Sequence, residues 1–462
     1  MAGSREEQDS LGRVSIASDK LWGAQSQRSL LNFAIGTSCF PSHFIHDFAL
    51  VKLAAARANA RLGNLDEERA ELIERACREI MAGDHDGQFP LSIWQTGSGT
   101  QTNMNLNEVI ANIGNRLAGN PPGRYEPLHP NDHVNRSQSS NDVFPTVMHV
   151  VTHRLISRSL LPALNSLHQT LAAKEVQFSA RIKSGRTHLM DATPITLGQE
   201  FGAWRAQTEF AVAQVTAALE PVRDLAIGGT AVGTGLNTPV GWAATVVEAI
   251  SALSSTGFRP AANKFSQLAS HDALLALHGQ LNLLASQLFK MASDIRLMNS
   301  GPRCGLAEIT MPANEPGSSI MPGKINPTQV EALTMVCLRV MGNNTAVSMA
   351  ASQGQFQLNV YKPLIIHLLM ESIELLADSI RSFTQHCLAG IDANHRQLDY
   401  YTDRSLMLVT ALSPHIGYDQ ASKAAGFALQ NDLSLREAVL QLELLTAEQY
   451  DELVRPELML GP

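Results

Sequence analysis

The sequence contains few aromatic residues. They make up 5% of its 462 residues, whereas hydrophobic residues make up 44% and charged residues 17%. The core must therefore be built mainly from Leu, Ile, Val, Ala and Met, which favours helix packing over an aromatic-rich β-sandwich. By its length, the chain could form two or three domains, or one large domain with appendages.

The sequence also lacks a cluster of Lys and Arg residues, and its formal net charge is −8. Proteins that bind nucleic acids neutralise phosphates with clustered cations, so this composition argues against a nucleic-acid partner. A negative net charge does not exclude an anionic small substrate, because a few local cations set the potential of one pocket.

Targeting and membrane signals are missing as well. The first twenty residues have no apolar run and carry Glu6, Glu7, Asp9 and Asp19, unlike a signal peptide or an Arg-rich transit peptide. The longest apolar stretches, such as residues 364–370, are too short to cross a bilayer. Five scattered cysteines without Cys-x-x-Cys spacing indicate free thiols in a reducing compartment. We expect a cytoplasmic protein without a membrane partner, although a processed organellar protein would have the same features.

Most of the chain shows the apolar periodicity of a helix. Pro162 interrupts one of these patterns and predicts a kinked or divided helix. No alternation of strand and helix patterns is present, which argues against the common nucleotide-binding folds. The long periodic segments, suited to the helices of a bundle, are residues 147–171, 197–219, 274–298, 330–349 and 364–383.

Two irregular stretches predict domain boundaries. Residues 117–135 are rich in Gly, Pro and Asn, and the helical pattern breaks again near residues 390–400. We therefore expect a small, mixed but mostly helical N-terminal domain, a central domain of long helices and a small helical C-terminal domain, spanning residues 1–138, 139–394 and 395–462.

Polar segments stand out against this helical background at residues 96–112, 136–146, 185–201 and 317–336. Helix capping explains each one separately, since Ser, Thr and Asn side chains satisfy the free amides of a first turn. Thr196 and Gln199 fit a capping box, and Asn326 fits the N-cap position before Pro327. A cap needs one polar side chain, however, and the first two segments offer four or five each. Because helix N-termini also bind carboxylates and phosphates, the segments together predict an anion site.

His188 and Lys324 are the candidate charged groups of that site. A single histidine is more often structural than catalytic, but histidine is the side chain that exchanges protons near neutral pH. Lys324 is either a solvated surface lysine or a fixed positive charge opposite a substrate carboxylate.

Metal and nucleotide motifs are incomplete. His149 and His153 have the i, i+4 spacing of metal ligands, but the glutamate of a zincin and a third ligand are missing from the motif. Residues 228–237 are rich in glycine without a Walker lysine, and they favour a tight turn between helices. We predict no cofactor and no metal.

The segment GSSIMPGKINP, residues 317–327, strongly resembles the signature loop of the aspartase/fumarase superfamily. Within that superfamily, the chain resembles the class II fumarate hydratases. Aspartases usually have Ala-Lys where this loop has Gly-Lys, Ala-Gly-Thr where TGSGTQTNMN has Ser-Gly-Thr, and glutamine where GRTHLMDATP has His188. NKFSQLASHDAL and GQFQLNVYKP add to the resemblance, which begins near SDKLWGAQSQRSL and continues almost to the end of the chain.

The resemblance implies a mainly α, three-domain fold with a long central five-helix bundle. It further implies a homotetramer with a twenty-helix core, in which three subunits contribute to each active site. The implied reaction is the reversible hydration of fumarate to (S)-malate, a small dicarboxylate, by general acid/base β-elimination without a cofactor.

The resemblance also assigns residues. Ser318 would take the carbon proton, and His188 would act at the water together with Glu331, while Lys324 stabilises the charged intermediate. The implied substrate-binding residues are Ser98, Gly99, Thr100, Ser139, Ser140, Asn141, Thr187, Ser319, Lys324, Ile325 and Asn326.

A further segment, LHPNDHVN, resembles the accessory dicarboxylate site of the family, which implies roles for His129, Pro130, Asn131 and Asp132. Many bacterial relatives have a basic residue shortly before the histidine, whereas this chain has Glu126-Pro127-Leu128. An acidic residue there would repel a dicarboxylate, and the segment also fits a Pro/Asn turn between domains.

Two alternative functions compete with this interpretation. An ammonia-lyase acting on aspartate is disfavoured by His188 and Ser98. A structural protein on the same scaffold, as some lens crystallins are, is disfavoured because the whole set of polar residues is retained.

Overall fold

The computed structural model of the protein describes residues 3–461 and is mainly helical. The helices are α1 (Ala24–Asn32), α2 (Ser42–Arg61), α3 (Glu67–Ala82), α4 (Thr100–Leu117), α5 (Ser140–Leu155), α6 (Leu161–Gln177), α7 (Leu197–Leu219), α8 (Trp242–Ser254), α9 (Lys264–Ala269), α10 (Asp272–Met298), α11 (Thr328–Ala351), α12 (Lys362–His386), α13 (His395–Arg404), α14 (Ser413–Ile416), α15 (Tyr418–Gln430), α16 (Leu435–Gln441) and α17 (Ala447–Leu453).

The strands form small two-stranded sheets. They are β1 (Ser4–Asp9), β2 (Gly12–Ala17), β3 (Ile182–Thr187), β4 (Met190–Thr196), β5 (Asp224–Leu225), β6 (Arg259–Pro260), β7 (Ile309–Thr310) and β8 (Asp392–Ala393). Three pairs, β1–β2, β3–β4 and β7–β8, are antiparallel, and β5–β6 is parallel. The mainly helical fold class predicted from the sequence is confirmed.

The predicted long helices are also confirmed. Helices α7, α10, α11 and α12 cover the four later periodic segments, and α5 and α6 together cover the first. Between α5 and α6, residues Ile156–Leu160 form a π-helical turn just before Pro162. Because proline has no N–H to donate, it weakens the regular ladder at this point, and the predicted irregularity occurs there.

The first compact unit comprises residues up to 160, together with 214–282 and 339–375. Helix α2 is buried along most of its length and places Phe44 and Phe48 against Phe144 of α5, with ring centroids 5.6 and 6.1 Å apart. This aromatic cluster lies directly behind the polar segment that precedes α4, because the ring of Phe144 packs against Gly99.

The second unit comprises residues 161–213, 283–338 and those from 376 onward. The C-terminal helices α15, α16 and α17 confirm the short helical patterns of the sequence, and they enclose a small core around Leu412, Leu435 and Val439. The β3–β4 hairpin is a correction, since the sequence predicted only a polar segment before a helix at residues 185–201. The capping box at the start of α7 is confirmed, with Thr196 and Gln199 exchanging bonds of 2.8 and 3.0 Å.

The predicted domain boundaries fall at helix starts. Ser139 is the N-cap of α5 and Asn394 is the N-cap of α13. The division into three domains stays a prediction. None of the helices within residues 3–461 is long and apolar enough to cross a membrane.

Candidate active site

The N-termini of α4 and α5 meet through a chain of hydroxyl groups. Ser98 Oγ lies 2.7 Å from Thr100 Oγ1, which lies 2.8 Å from Ser140 Oγ. Thr100 and Ser140 are the first residues of their helices, so the hydroxyls lie where two sets of free backbone N–H groups begin. Two of the four polar segments singled out in the sequence are thus brought together. Their convergence provides a site suited to a carboxylate.

Glycines shape the approach to this site. Gly99 has a φ of +78°, a conformation that favours glycine, and a Cβ there would lie 2.3 Å from the ring of Phe144. A Cβ on Gly97 would lie 1.3 Å from the carbonyl oxygen of Val360. Ser98 is therefore held between two positions that accept no side chain.

The start of α5 is fixed by the buried carboxylate of Asp142. Asp142 accepts a bond from the Ser139 amide at 2.9 Å, completing a capping box, and bonds from the amides of Gly228 and Thr230 at 2.9 and 2.8 Å. Burial raises the pKa of Asp142 to about 6. Next to it, Asn141 donates its side-chain amide to the Ala231 carbonyl at 2.8 Å.

Lys52 of α2 is fully buried below the same segment. Its ammonium donates to Asn135 Oδ1 at 3.1 Å and to Gln138 Oε1 at 3.0 Å. Burial lowers the pKa of Lys52 to about 7. Two buried charged side chains, Lys52 and Asp142, therefore support residues 135–142 from the protein interior.

In the second unit, the segment from Gly317 to Asn326 forms a closed loop. The amide of Gly317 donates to the Lys324 carbonyl at 3.1 Å, and Asn326 Nδ2 donates to the Gly317 carbonyl at 2.6 Å. A Cβ on Gly317 would lie 2.2 Å from the Lys324 carbonyl oxygen, so the closure requires glycine. The sequence-based N-cap role of Asn326 is wrong: α11 begins at Thr328, and the Asn326 amide closes the loop instead.

Ser318 lies inside this loop with its oxygen facing backbone amides. Ser318 Oγ accepts bonds from the N–H groups of Ile320 at 3.3 Å and Met321 at 3.1 Å. Such donors stabilise negative charge on the oxygen that they face. Ser319, Lys324 and Ile325 are exposed to solvent around the loop.

His188 occupies the tip of the β3–β4 hairpin. His188 and Leu189 form the two-residue turn, with positive φ angles of 57° and 63°. Turns of this kind usually contain glycine or asparagine, so two larger side chains here indicate a strained and specific conformation. Thr187, His188 and Leu189 all project into solvent.

Glu331 lies in the first turn of α11, and its carboxylate is 3.5 Å from Arg296 of α10. Among the described residues, no hydrogen bond joins His188 to Glu331. The structure thus assembles two partial sites, one in each unit: Ser98, Thr100 and Ser140 in the first, and Gly317, Ser318, Lys324 and Asn326 in the second.

Comparisons with known proteins identify the family. The family model described as "Lyase" matches residues 12–342, and the one described as "Fumarase C C-terminus" matches residues 408–461. The class II fumarate hydratase of Pseudomonas putida is 56% identical over 99% of both chains, and that of Thermosynechococcus vestitus is 56% identical over 99% of this chain and 98% of the other. The chain belongs to the class II fumarate hydratase family.

The fold agrees with this membership. The crystal structure of a class II fumarase from Schistosoma mansoni matches 99% of both chains with a TM-score of 0.96 and 45% sequence identity. A structure described as "fumarate lyase:delta crystallin" from Brucella melitensis, bound to cobalt, matches all of both chains with a TM-score of 0.94 and 38% identity. The fumarase/aspartase fold class inferred from the sequence is confirmed.

The segment that resembles the family's accessory site forms a π-helical turn, Pro130–Val134, preceded by His129. His129 Nδ1 lies 3.3 Å from a carboxylate oxygen of Asp132 and accepts the Asp132 amide at the same distance. Asn131 and Asp132 are exposed, whereas Pro130 is buried. An incoming carboxylate would have to compete with Asp132 for this histidine.

The two candidate metal ligands of the sequence have other partners. His149 is buried, and its Nδ1 lies 2.9 Å from the Val222 carbonyl oxygen. His153 Nε2 accepts from Arg223 at 3.4 Å. Burial lowers the pKa of both histidines to about 4. Residues 3–461 contain no group of three or more His, Cys, Asp or Glu residues placed to hold a metal ion.

The sequence interpretation missed several supporting residues of this fumarase-family site. Asp142 had a visible signal, because Ser139-x-x-Asp142 matches a capping box. Lys52 had a weaker one, as a single charge inside the apolar run of α2. No sequence signal indicated Glu308, which is fully buried in the second unit beside Lys183 and Arg186.

Proposed function

We propose that this protein catalyses the reversible, stereospecific hydration of fumarate to (S)-malate. One observation carries the proposal: the hydroxyl oxygen of Ser318, in the loop that resembles the family signature, accepts two backbone N–H bonds of 3.3 and 3.1 Å. These donors suit a serine that works as an alkoxide base. The likeness to class II fumarate hydratases supports fumarate and malate as the substrate pair.

The difficult step in the dehydration direction is removal of a proton from C3 of malate. The proton goes to Ser318 Oγ, and the electron pair enters the adjacent carboxylate as an aci-carboxylate with two negative charges. Lys324 supplies a positive charge for this intermediate, and Asn326 has a second amide hydrogen beyond the one bonded to Gly317.

The second step expels hydroxide from C2. The electron pair returns to form the C2–C3 double bond, and the leaving hydroxide receives a proton so that it departs as water. We assign this proton to His188, acting through an ordered water molecule and paired with Glu331 of another subunit. The exposed position of His188 at a hairpin tip suits a residue that serves a neighbouring subunit.

The substrate carboxylates are assigned to the hydroxyl-rich helix starts. Ser98 and Thr100 precede and begin α4, and Ser139, Ser140 and Asn141 surround the start of α5. Gly99 permits the turn between the first two, and Thr187, Ser319 and Ile325 complete the pocket in this assignment.

We propose a cytoplasmic homotetramer in which the central helices form a twenty-helix core. Each active site then takes residues from three subunits. A dissociated monomer should be inactive.

The accessory dicarboxylate site at His129, Asn131 and Asp132 forms a separate proposal. Calorimetric titration of malate into a His188→Asn variant, with and without His129→Asn, tests it. Loss of a second binding event on His129→Asn supports the site, and a single event in both variants refutes it.

The proposed activity is tested by following the absorbance of fumarate. Purified protein should consume fumarate and produce it from malate, with no release of ammonia from aspartate. Activity with aspartate alone would identify an ammonia-lyase, and inactivity with all three compounds would favour a structural role on the same scaffold.

A further inference from the structure

Strand β3 carries two cations, Lys183 and Arg186, that reach the same carboxylate. In a regular strand, residues three apart point to opposite faces. The register between β3 and β4 shifts between Ser184 and Arg186, as in a β-bulge. Two residues of β4, Ala192 and Thr193, lie between the partners of Ser184 and Arg186, whereas β3 has only Gly185 there, so the extra residue is on β4. Both cations of β3 nevertheless contact the same carboxylate.

Gly185 allows this bulge. A Cβ at Gly185 would lie 2.5 Å from the carbonyl oxygen of Thr193 on the opposite strand. Only glycine therefore permits the two strands to approach this closely, and Gly185 lies three residues before His188.

The shared carboxylate belongs to Glu308, whose side chain is fully buried. Arg186 Nη1 donates to Glu308 Oε1 at 2.7 Å. Lys183 Nζ lies 3.0 Å from Glu308 Oε2 without the angle of a hydrogen bond, and it donates instead to Glu200 of α7 at 2.7 Å. Two cations and two carboxylates thus neutralise one another at the base of the hairpin.

Glu308 itself is held at both ends. Its amide donates to the Met298 carbonyl at the end of α10 at 2.8 Å, and its carbonyl accepts from the Asn394 amide at 2.9 Å. The next residue, Ile309, pairs with Ala393 in the β7–β8 sheet. The backbone that carries the carboxylate is therefore fixed, and Lys183 and Arg186 orient β3 relative to it.

The tip of the hairpin is strained and requires supporting contacts. His188 and Leu189 both hold left-handed backbone conformations that their side chains disfavour, and both are exposed. Strain of this kind persists only where surrounding contacts determine the conformation. Arg186 is two residues from His188, so its bond to Glu308 fixes the strand close to the tip.

We infer that Glu308 is a positioning residue, which sets the direction of His188 by holding Lys183 and Arg186, on either side of Gly185, to one carboxylate. The inference rests on the proposed role of His188 as the proton carrier. Glu308 touches no reacting atom in this account. It acts by limiting the orientations of the hairpin.

The test compares kcat and KM for fumarate hydration in variants confirmed as folded and assembled by circular dichroism and size-exclusion chromatography. Glu308→Gln should lower kcat about 10- to 100-fold while KM changes less than about 3-fold, because misplacement of a catalytic group impairs the transition state more than ground-state binding. Arg186→Met should act in the same direction. Arg186→Lys should restore most of the rate, since the contact uses a single Arg186 nitrogen.

Glu108→Gln is the matched control. Glu108 is also buried and accepts bonds from the amides of Gly23, Gln25 and Ser26 in the first unit, none of which belongs to the β3–β4 hairpin. It should lower thermal stability without changing kcat per folded tetramer. Equal losses of kcat in Glu308→Gln and Glu108→Gln would overturn the inference, as would a wild-type kcat in Glu308→Gln.

Two further outcomes separate this inference from the proposed function. If Glu308→Gln does not fold, the inference is tested by comparing kcat in Arg186→Met and Arg186→Lys. Equal kcat values in these two variants would overturn it. A wild-type protein that does not hydrate fumarate would overturn the proposed function instead. A wild-type protein that is active while His188→Asn is inactive establishes the role on which the inference rests.

Discussion

Replacement of Gly99 by alanine tests how the carboxylate site is built. Gly99 immediately precedes α4 with a φ of +78°, and a Cβ there would lie 2.3 Å from the ring of Phe144. Gly119, beyond the other end of α4, has a φ of +85° with nothing within 4 Å of the added Cβ. The two alanine variants therefore share the backbone strain, and only Gly99→Ala adds a steric clash.

The expected losses of stability follow from the backbone strain and the steric clash. A left-handed conformation costs a non-glycine residue about 1–2 kcal/mol, which Gly119→Ala should show alone. Carbon atoms pack at about 3.5–4.0 Å, so the Phe144 ring must move by more than about 1 Å in Gly99→Ala. Overpacking of this kind costs about 1–3 kcal/mol more. The total for Gly99→Ala is about 2–5 kcal/mol.

The assay is urea unfolding of both variants at one protein concentration, followed by steady-state kinetics on fumarate. Gly99→Ala should also raise KM about 10-fold or more, because it displaces the bonded hydroxyls of Ser98 and Thr100. Gly119→Ala should leave KM unchanged. Equal losses of stability in the two variants, with equal KM values, would refute the steric reasoning.

Three other predictions concern single side chains. Ser318→Ala should lower kcat about 100-fold or more with a small change in KM, because it removes the proposed base, and near-normal turnover would exclude that role. Burial lowers the pKa of Lys52 from 10.5, the ordinary value of lysine, to about 7 in the folded protein. The unfolded chain therefore binds more protons between these two pH values, and the wild-type protein gains stability as pH rises through that window. Urea midpoints at about pH 7 and about pH 9 should show a flatter dependence in Lys52→Met, and an unchanged slope would contradict the burial argument. Asp142→Asn places an amide group against the N–H donors of Ser139, Gly228 and Thr230. It should lower the free energy of unfolding by about 1–3 kcal/mol and raise KM. A variant as stable as the wild type would show that these bonds do not hold the segment.

The helices were predictable from the sequence, for local reasons. Apolar periodicity depends on residues three and four apart, and it located α7, α10, α11 and α12 within a few residues. Excess hydroxyl and amide groups within residues 96–112 and 136–146 indicated an anion site at helix starts. The hydroxyl chain from Ser98 through Thr100 to Ser140 is consistent with that prediction.

Other features depended on contacts between distant residues, and local patterns do not encode them. The N-cap prediction for Asn326 failed because α11 begins two residues later, at Thr328, and the Asn326 side-chain amide donates to the carbonyl of Gly317, nine residues earlier. The β3–β4 hairpin was missed because its tip has His188 and Leu189 in place of the glycine or asparagine that usually marks such a turn. A strained turn that is stabilised by tertiary contacts cannot be recognised from the residue types in its own sequence.

The sequence by itself therefore determined a helical protein of the fumarase family with hydroxyl-rich helix starts and a serine-containing loop without a neighbouring base. Only the tertiary structure decided how those residues are held. It placed the Ser318 oxygen on two amides, closed the loop through Gly317, and brought Lys183 and Arg186 to the carboxylate of Glu308. The physical reason is that the buried Glu308–Arg186 pair joins residues 122 apart, and that the loop closure and the bulge depend on how the chain folds back on itself, whereas helix periodicity depends on the next turn.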